Sequence, residues 1–367
     1  MKQKVIVIPD SFKGSMSSEK VADIIGDVLD SQTDLEVVRI PIADGGEGST
    51  NCIMRSMGGE KIHVTVTSPE GKQIEAFYLI TPDKKAVIEI AESSGITKQT
   101  SFNATKATTY GFGELIKDAL DKGARSFLLC LGGSATTDCA AGMAAALGVK
   151  FFDGQDEEFT PVGGTLKDIA RIDLSGLDKR VGESDFVVMS DVTNPLFGPK
   201  GAAYIYAPQK GANAEEVALL DEGIKHISKV MEEAVLISCE GVQGAGAAGG
   251  AGYGCAAFLG ARIVSGINAM LDICRFDELV SDAKYIVTGE GKFDEQSLMG
   301  KVVDGIRKRS GNIPMVVFCG ISDIDTKKAD ALNIRVIEIG RNMTLEESIK
   351  NAEKNLKEAA TKLAKEL

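Results

Sequence analysis

Five short segments place acidic side chains among glycines and small residues. They read Pro9-Asp-Ser-Phe-Lys-Gly-Ser15, Ala43-Asp-Gly-Gly-Glu-Gly48, Gly132-Gly-Ser-Ala-Thr-Thr-Asp138, Ser190-Asp-Val-Thr-Asn-Pro195 and Thr288-Gly-Glu-Gly-Lys-Phe-Asp294. Glycine lets backbone N–H groups approach a ligand closely and, at a helix start, makes an anion site. Carboxylates beside such a loop are what Mg²⁺ and a general base require. Phosphoryl transfer needs that whole set: a phosphate cradle, metal-binding acids, a lysine, and one acid to orient a hydroxyl. A lone Asp after a strand is more often a helix cap or turn residue. Asp10, Asp44, Asp191, Glu290 and Asp294 together at sheet edges are harder to dismiss. Lys13 and Lys292, each in a glycine-bearing turn, are the basic partners.

These turns need elements to hold them, and each follows a short apolar run. Val5–Ile8, Glu36–Ile40, Phe127–Leu131, Phe186–Met189, Tyr285–Val287, Met315–Phe318 and Arg335–Glu338 are strand-like runs that alternate with helical patterns. Continuous apolar runs of this length mark a parallel sheet buried on both faces, whose ligands bind outside the strand carboxyl ends. Ser17–Leu29 reads as an amphipathic helix. Leu345, Ile349, Ala352, Leu356, Ala359 and Leu363 give the last helix one apolar stripe. Lys61–Thr67, Gln73–Ile80 and Ala86–Ala91 break the alternation, with a hairpin signal at Pro69-Glu-Gly71. The expected architecture is α/β with two domains. Residues 1–60 and 281–367 form a Rossmann-like, doubly wound parallel sheet domain, and 61–280 an inserted mixed α/β domain, with the active site in the cleft.

Composition narrows the function. The 367 residues carry a net charge of −12, two His and no Trp. That balance argues against a nucleic-acid or anionic-membrane surface, and two histidines leave little room for His-based metal or Ser-His chemistry. The 21 uncharged residues from Gly241 to Ala261 are too rich in glycine for a membrane span. Seven scattered cysteines (52, 130, 139, 239, 255, 274 and 319), with no C-x-x-C pair, fit reduced and mostly buried thiols in a cytoplasmic protein. Glycine is in excess, at 41 residues, roughly fifteen above a typical share, and it concentrates in the acidic turns and at 241–254.

Gly244-Ala-Gly246-Ala-Ala-Gly249 is a literal G-x-G-x-x-G. It signifies a dinucleotide site only where it directly follows a strand and opens a helix, and here Glu240-Gly-Val-Gln243 intervenes. A glycine loop that approaches substrate or phosphate is the better reading. There is no Walker A sequence.

Six blocks together resemble the bacterial type I glycerate kinases. They are Asp10-Ser-Phe-Lys-Gly-Ser-Met-Ser17, Pro41-Ile-Ala-Asp-Gly-Gly-Glu-Gly48, Asp191-Val-Thr-Asn-Pro-Leu-Phe-Gly198, Ala207-Pro-Gln-Lys-Gly-Ala212, Gly244–Gly250 and Thr288–Ser297. The resemblance implies ATP-dependent, Mg²⁺-requiring phosphorylation of D-glycerate, at the 2-hydroxyl, with 3-phosphoglycerate the open alternative; the residues themselves leave monomer and homodimer both open. Asp191 is then the general base or metal-orienting acid, with Lys13 and Asp44 also catalytic. Asp10, Ser11, Asn194 and Lys210 would bind substrate, Lys210 neutralising developing charge. Gly244, Gly246, Gly249, Gly250, Gly289, Lys292 and Asp294 would hold nucleotide phosphates, and Asp44, Glu47 and Glu290 the Mg²⁺. The chain departs from the family at Thr137, Cys139 and Ala140, where Asn, Gly and Gly are usual. An NAD-dependent hydroxy-acid oxidoreductase, which would rest on Gly244–Gly249, and a non-catalytic sugar-acid-binding protein, which leaves the acidic glycine turns unexplained, are the rivals.

Overall fold

The computed structural model describes residues 2–238 and 241–367; Cys239 and Glu240 lie outside them. The chain divides into two compact units: Met1–Asp44 with Asn51–Met57 and Ile267–Leu367, and Gly45–Thr50 with Gly58–Gly266.

The first unit is built on β1 (Lys4–Val7), β2 (Glu36–Arg39), β12 (Ala283–Phe293), β13 (Met315–Ser322) and β14 (Ile334–Glu338). They form one parallel sheet in the order β14-β13-β12-β1-β2. Val5 to Ile8 are wholly buried; each such aliphatic side chain contributes about 1.5–3 kcal/mol. The helix Ser18–Gln32 buries Val21, Ala22, Ile25, Val28 and Leu29. It shares a core with Ala352, Leu356, Ala360 and Leu363 of the last helix, Leu345–Ala364. That helix starts from a Thr344–Glu347 capping box. Its apolar stripe is buried only from Ala352 on, since Leu345 and Ile349 are exposed.

The second unit holds β3 (Glu60–Thr67), β4 (Gln73–Ile80), β5 (Lys85–Glu89), β6 (Ser126–Cys130), β10 (Asp185–Met189) and β11 (Arg262–Val264) in the order β11-β10-β6-β5-β4-β3. β5, β6, β10 and β11 are parallel, and the β3–β4 hairpin adds two antiparallel strands. A small antiparallel sheet of β7 (Lys150–Phe152), β8 (Glu158–Phe159) and β9 (Arg171–Asp173) completes it. Among the described residues, six cysteines are buried and none is in a disulfide. No described helix is long and apolar enough to cross a membrane.

One sequence expectation changes. Thr288–Asp294 reads as a turn, yet β12 continues through its glycines to Phe293, because β13 continues beside it and pairs Gly289 with Phe318 and Glu290 with Cys319.

Candidate active site

In the first unit the chain winds outward in one direction from β1 to β2, and in the other from β12 to β14. The reversal lies between β1 and β12, and a ligand crevice is expected at their carboxyl ends. The turn after β1 lies against β12 there. A Cβ on Gly289 would sit 2.7 Å from the Phe318 carbonyl oxygen and 3.1 Å from the Phe12 ring; one on Gly291 would sit 3.2 Å from the Lys13 nitrogen. Gly289 is therefore a packing glycine.

Asp10 donates its N–H to the Gly289 carbonyl at 2.8 Å, and its Oδ1 accepts from the Ser11 N–H at 2.6 Å. Burial, with the charges of Asp44 and Glu290 added, pushes the Asp10 carboxyl up to about 7 against the Ser11 bonds. Glu290 is also pushed up to about 7, first by burial, with Asp294 and Asp44 adding and Ser297 and Lys301 opposing. Its Oε1 is buried and has no hydrogen-bond partner. The Asp44 charge thus acts on both Asp10 and Glu290, and acids gathered in this way form a site that favours a cation. Among the described residues no three His, Cys, Asp or Glu side chains form a metal-holding group. Mg²⁺ is ordinarily held by one or two carboxylates together with phosphate oxygens and water, and the free Oε1 of Glu290 fits that mode.

The flanking residues divide. Lys13 and Glu47 are exposed. Lys292 is paired with Asp323 at 2.7 Å and Asp294 at 3.5 Å. Asp294 caps the turn Glu295–Leu298, its Oδ1 accepting from the Gln296 N–H. Lys292 and Asp294 are thus tied to local partners.

In the second unit the carboxyl ends of β5, β6, β10 and β11 lead into Glu89, Gly132–Asp138, Asp191 and Ser265. Asp191 Oδ1 accepts from Ser265 Oγ at 2.8 Å and from the Gly266 N–H at 2.9 Å, which fixes the plane of its carboxylate. Asn194 spends its amide on the Lys200 carbonyl and accepts from the Tyr206 hydroxyl at 2.6 Å; it fastens its own turn. Lys210 is 2% exposed. Its ammonium donates to Ser134 Oγ at 3.0 Å and to the Thr136 carbonyl at 2.6 Å, so it clamps the turn after β6 from beneath. Burial pulls it down to about 7, although the Asp138 charge opposes this. Asp138 is wholly buried, and its Oδ2 accepts from the Thr109 N–H and hydroxyl, both at 2.8 Å. Burial raises its carboxyl. Asp138 Oδ1, Thr136 Oγ1 and Thr137 Oγ1 are buried without partners.

The glycine cluster packs on this turn. The Cys139 N–H donates to the Gly249 carbonyl at 3.2 Å. A Cβ on Gly249 would lie 2.1 Å from the Thr136 carbonyl oxygen, one on Gly250 2.5 Å from Cys139 Sγ, and one on Gly246 2.3 Å from the Pro195 carbonyl oxygen. Gly244 has φ of +78°. The motif does not open a helix directly from a strand. The helix Ala214–Val235 precedes it, and Ala248 to Gly250 are left-handed inside Ala247–Leu259, so the dinucleotide reading lacks its structural condition. Cys139 and Ala140, at φ 51° and 57°, stand at left-handed positions that glycine occupies without strain.

Sequence reasoning missed Glu89, which it read inside a strand, and set aside Asp138. Only a buried acid at a strand's last position could have marked Glu89.

The glycerate kinase family model matches residues 5–367. A glycerate kinase of Halalkalibacterium halodurans is 38% identical over 98% of this chain and 97% of its own. The glycerate 2-kinase of Escherichia coli K12 is 36% identical over the same shares. Among solved structures, one assigned as glycerate kinase 2 from Salmonella typhimurium LT2 superposes with a TM-score of 0.83 at 35% identity, over 99% of this chain and 98% of that one. With six sequence blocks, strand-end carboxylates and a match along nearly all its length, this chain belongs to the glycerate kinase family and is a phosphotransferase acting on an alcohol group.

Proposed function

We propose that this chain transfers the γ-phosphoryl group of ATP to the 2-hydroxyl of D-glycerate, giving 2-phosphoglycerate. The observation that carries the position is the near full-length match to a relative named glycerate 2-kinase; the carboxylates around the β1–β12 reversal support the chemistry. Asp191, oriented by Ser265 and Gly266, accepts the hydroxyl proton as that oxygen bonds to the γ-phosphorus. The bond from that phosphorus to the bridging oxygen breaks, and ADP leaves with the electron pair. Glu290 and Asp44 would hold Mg²⁺, which neutralises phosphate charge when bound. Ser11 and exposed Lys13 bind the substrate carboxylate or a phosphate oxygen. Lys210 and Asn194 act through the turns that they fasten. Such catalysis is mostly positioning and charge stabilisation.

The test is ADP release over a panel of small hydroxy acids with and without Mg²⁺, with the product identified by NMR. Magnesium-dependent turnover of D-glycerate to the 2-phosphate is expected. No turnover with D-glycerate refutes the substrate, and a 3-phosphate product refutes the position.

A further inference from the structure

We propose that Glu89 is a positioning residue for the reaction, its buried carboxylate clipping the loop Gly45–Thr50 to the carboxyl edge of the second unit's sheet. Resting on the function proposed above, this gives a role to a residue outside the acidic turns. Glu89 ends β5 and is 2% exposed. Its Oε2 accepts from the Gly48 N–H at 3.0 Å and its Oε1 from the Thr50 N–H at 2.6 Å, 41 and 39 residues away in sequence. A buried carboxylate carries a large desolvation cost unless its lone pairs are met. Here the donors are loop amides at the start of the helix Ser49–Met57, where the helix dipole favours negative charge.

The loop has a second anchor. Its Gly45 carbonyl accepts from the Gly132 N–H at 3.0 Å. A Cβ on Gly45 would sit 2.9 Å from that of Met189, and one on Gly132 2.4 Å from the Gly46 Cα. The loop thus meets the β5 end through the Glu89 carboxylate and the β6 turn through its backbone, and it lies close to the β10 end, with no room for a side chain at Gly45 or Gly132. A helix start needs only a neighbouring Ser, Thr, Asp or Asn as its cap. A distant buried acid that bonds both the loop and the first turn fixes where the loop lies. The loop carries Glu47, so its placement sets where that carboxylate stands, and one peptide bond joins it to Asp44.

Glu89→Gln removes one acceptor and sets an NH₂ group against an N–H, while Glu89→Asp keeps the charge and retracts it by one methylene. The full-length variants are compared with wild type in kcat and KM for D-glycerate and ATP, in melting temperature, and in amide exchange of residues 45–50 by mass spectrometry. We expect faster exchange confined to that loop and a kcat lower by on the order of 100-fold, the cost of roughly 1 Å of misplacement, with cooperative melting retained. Unchanged exchange overturns the clip. Faster exchange with unchanged kcat overturns the positioning role, as does loss of cooperative melting in both variants, which makes Glu89 purely structural. An inactive wild type refutes the function and the positioning role together, while exchange still reads the clip.

Discussion

The Lys210–Asp138 arrangement makes a prediction in pH that a surface lysine would not. A drop in the Lys210 pKa from 10.5 to about 7 corresponds to about 5 kcal/mol of differential stability between its protonation states. The folded-state value is depressed, so the unfolded chain binds the extra proton between the two. Below pH 7 the lysine is charged in both states and its burial carries the full cost. As pH rises from 7 to 10.5 the folded protein is relieved of that cost, and stability climbs. Asp138 has the opposite sign: its raised carboxyl removes stability as pH rises towards its folded value. The clean comparison is therefore Asp138→Asn against Asp138→Asn/Lys210→Met. Asparagine retains an oxygen for the Thr109 donors, and every other titrating group is common to both proteins. Urea unfolding followed by circular dichroism at half-unit steps from pH 7 to 10.5 should show the lysine-bearing protein gaining about 5 kcal/mol relative to its methionine counterpart. Parallel curves would refute the reasoning and mean that the Lys210 ammonium keeps its charge in the fold.

Two further expectations are simpler. Asp191→Asn should leave the melting temperature within a few degrees and lower kcat on the order of 10³-fold; near wild-type turnover by a folded variant removes Asp191 as the base. Cys139→Gly or Ala140→Gly should raise the unfolding free energy by about 1 kcal/mol each, since both positions are left-handed; a lower urea midpoint would show that buried side-chain packing outweighs backbone strain there.

Much of the fold was legible because its strands announce themselves. Val5–Ile8 and Phe127–Leu131 are buried runs of the kind a parallel sheet imposes, and Pro69-Glu-Gly71 joins β3 to β4. Legibility failed where a partner strand decides the outcome. Gly289-Glu-Gly291 looks like a turn in one dimension, but the length of β13 holds it as strand. The burial of Lys210 was hidden for a related reason. Ala207-Pro-Gln-Lys-Gly-Ala212 has no apolar period to show which side chain points inward, and the turn that receives the ammonium lies more than seventy residues upstream. Glu89 was hidden by its neighbours, since Ala86, Val87 and Ile88 read as core and are core. The Cys139 and Ala140 departures, by contrast, were visible in sequence as missing glycines and prove to be positive-φ positions.

The first unit's sheet draws its central pair from opposite ends of the chain: Val5 lies beside Tyr285, and Val7 beside Val287. On a ribosome adding about 5–20 residues per second, β1 waits roughly fifteen seconds to a minute for β12 to be made. During that interval Val5, Ile6 and Val7 have only β2 beside them, an unpaired apolar edge of the kind that seeds aggregation. The stretch Gly58–Gly266 is complete before β12 emerges and can fold first, shortening the loop that β1 and β12 must close. A chain stalled before residue 283 would therefore present a finished second unit and an open sheet edge, which makes the last quarter of this protein the segment on which chaperone demand depends.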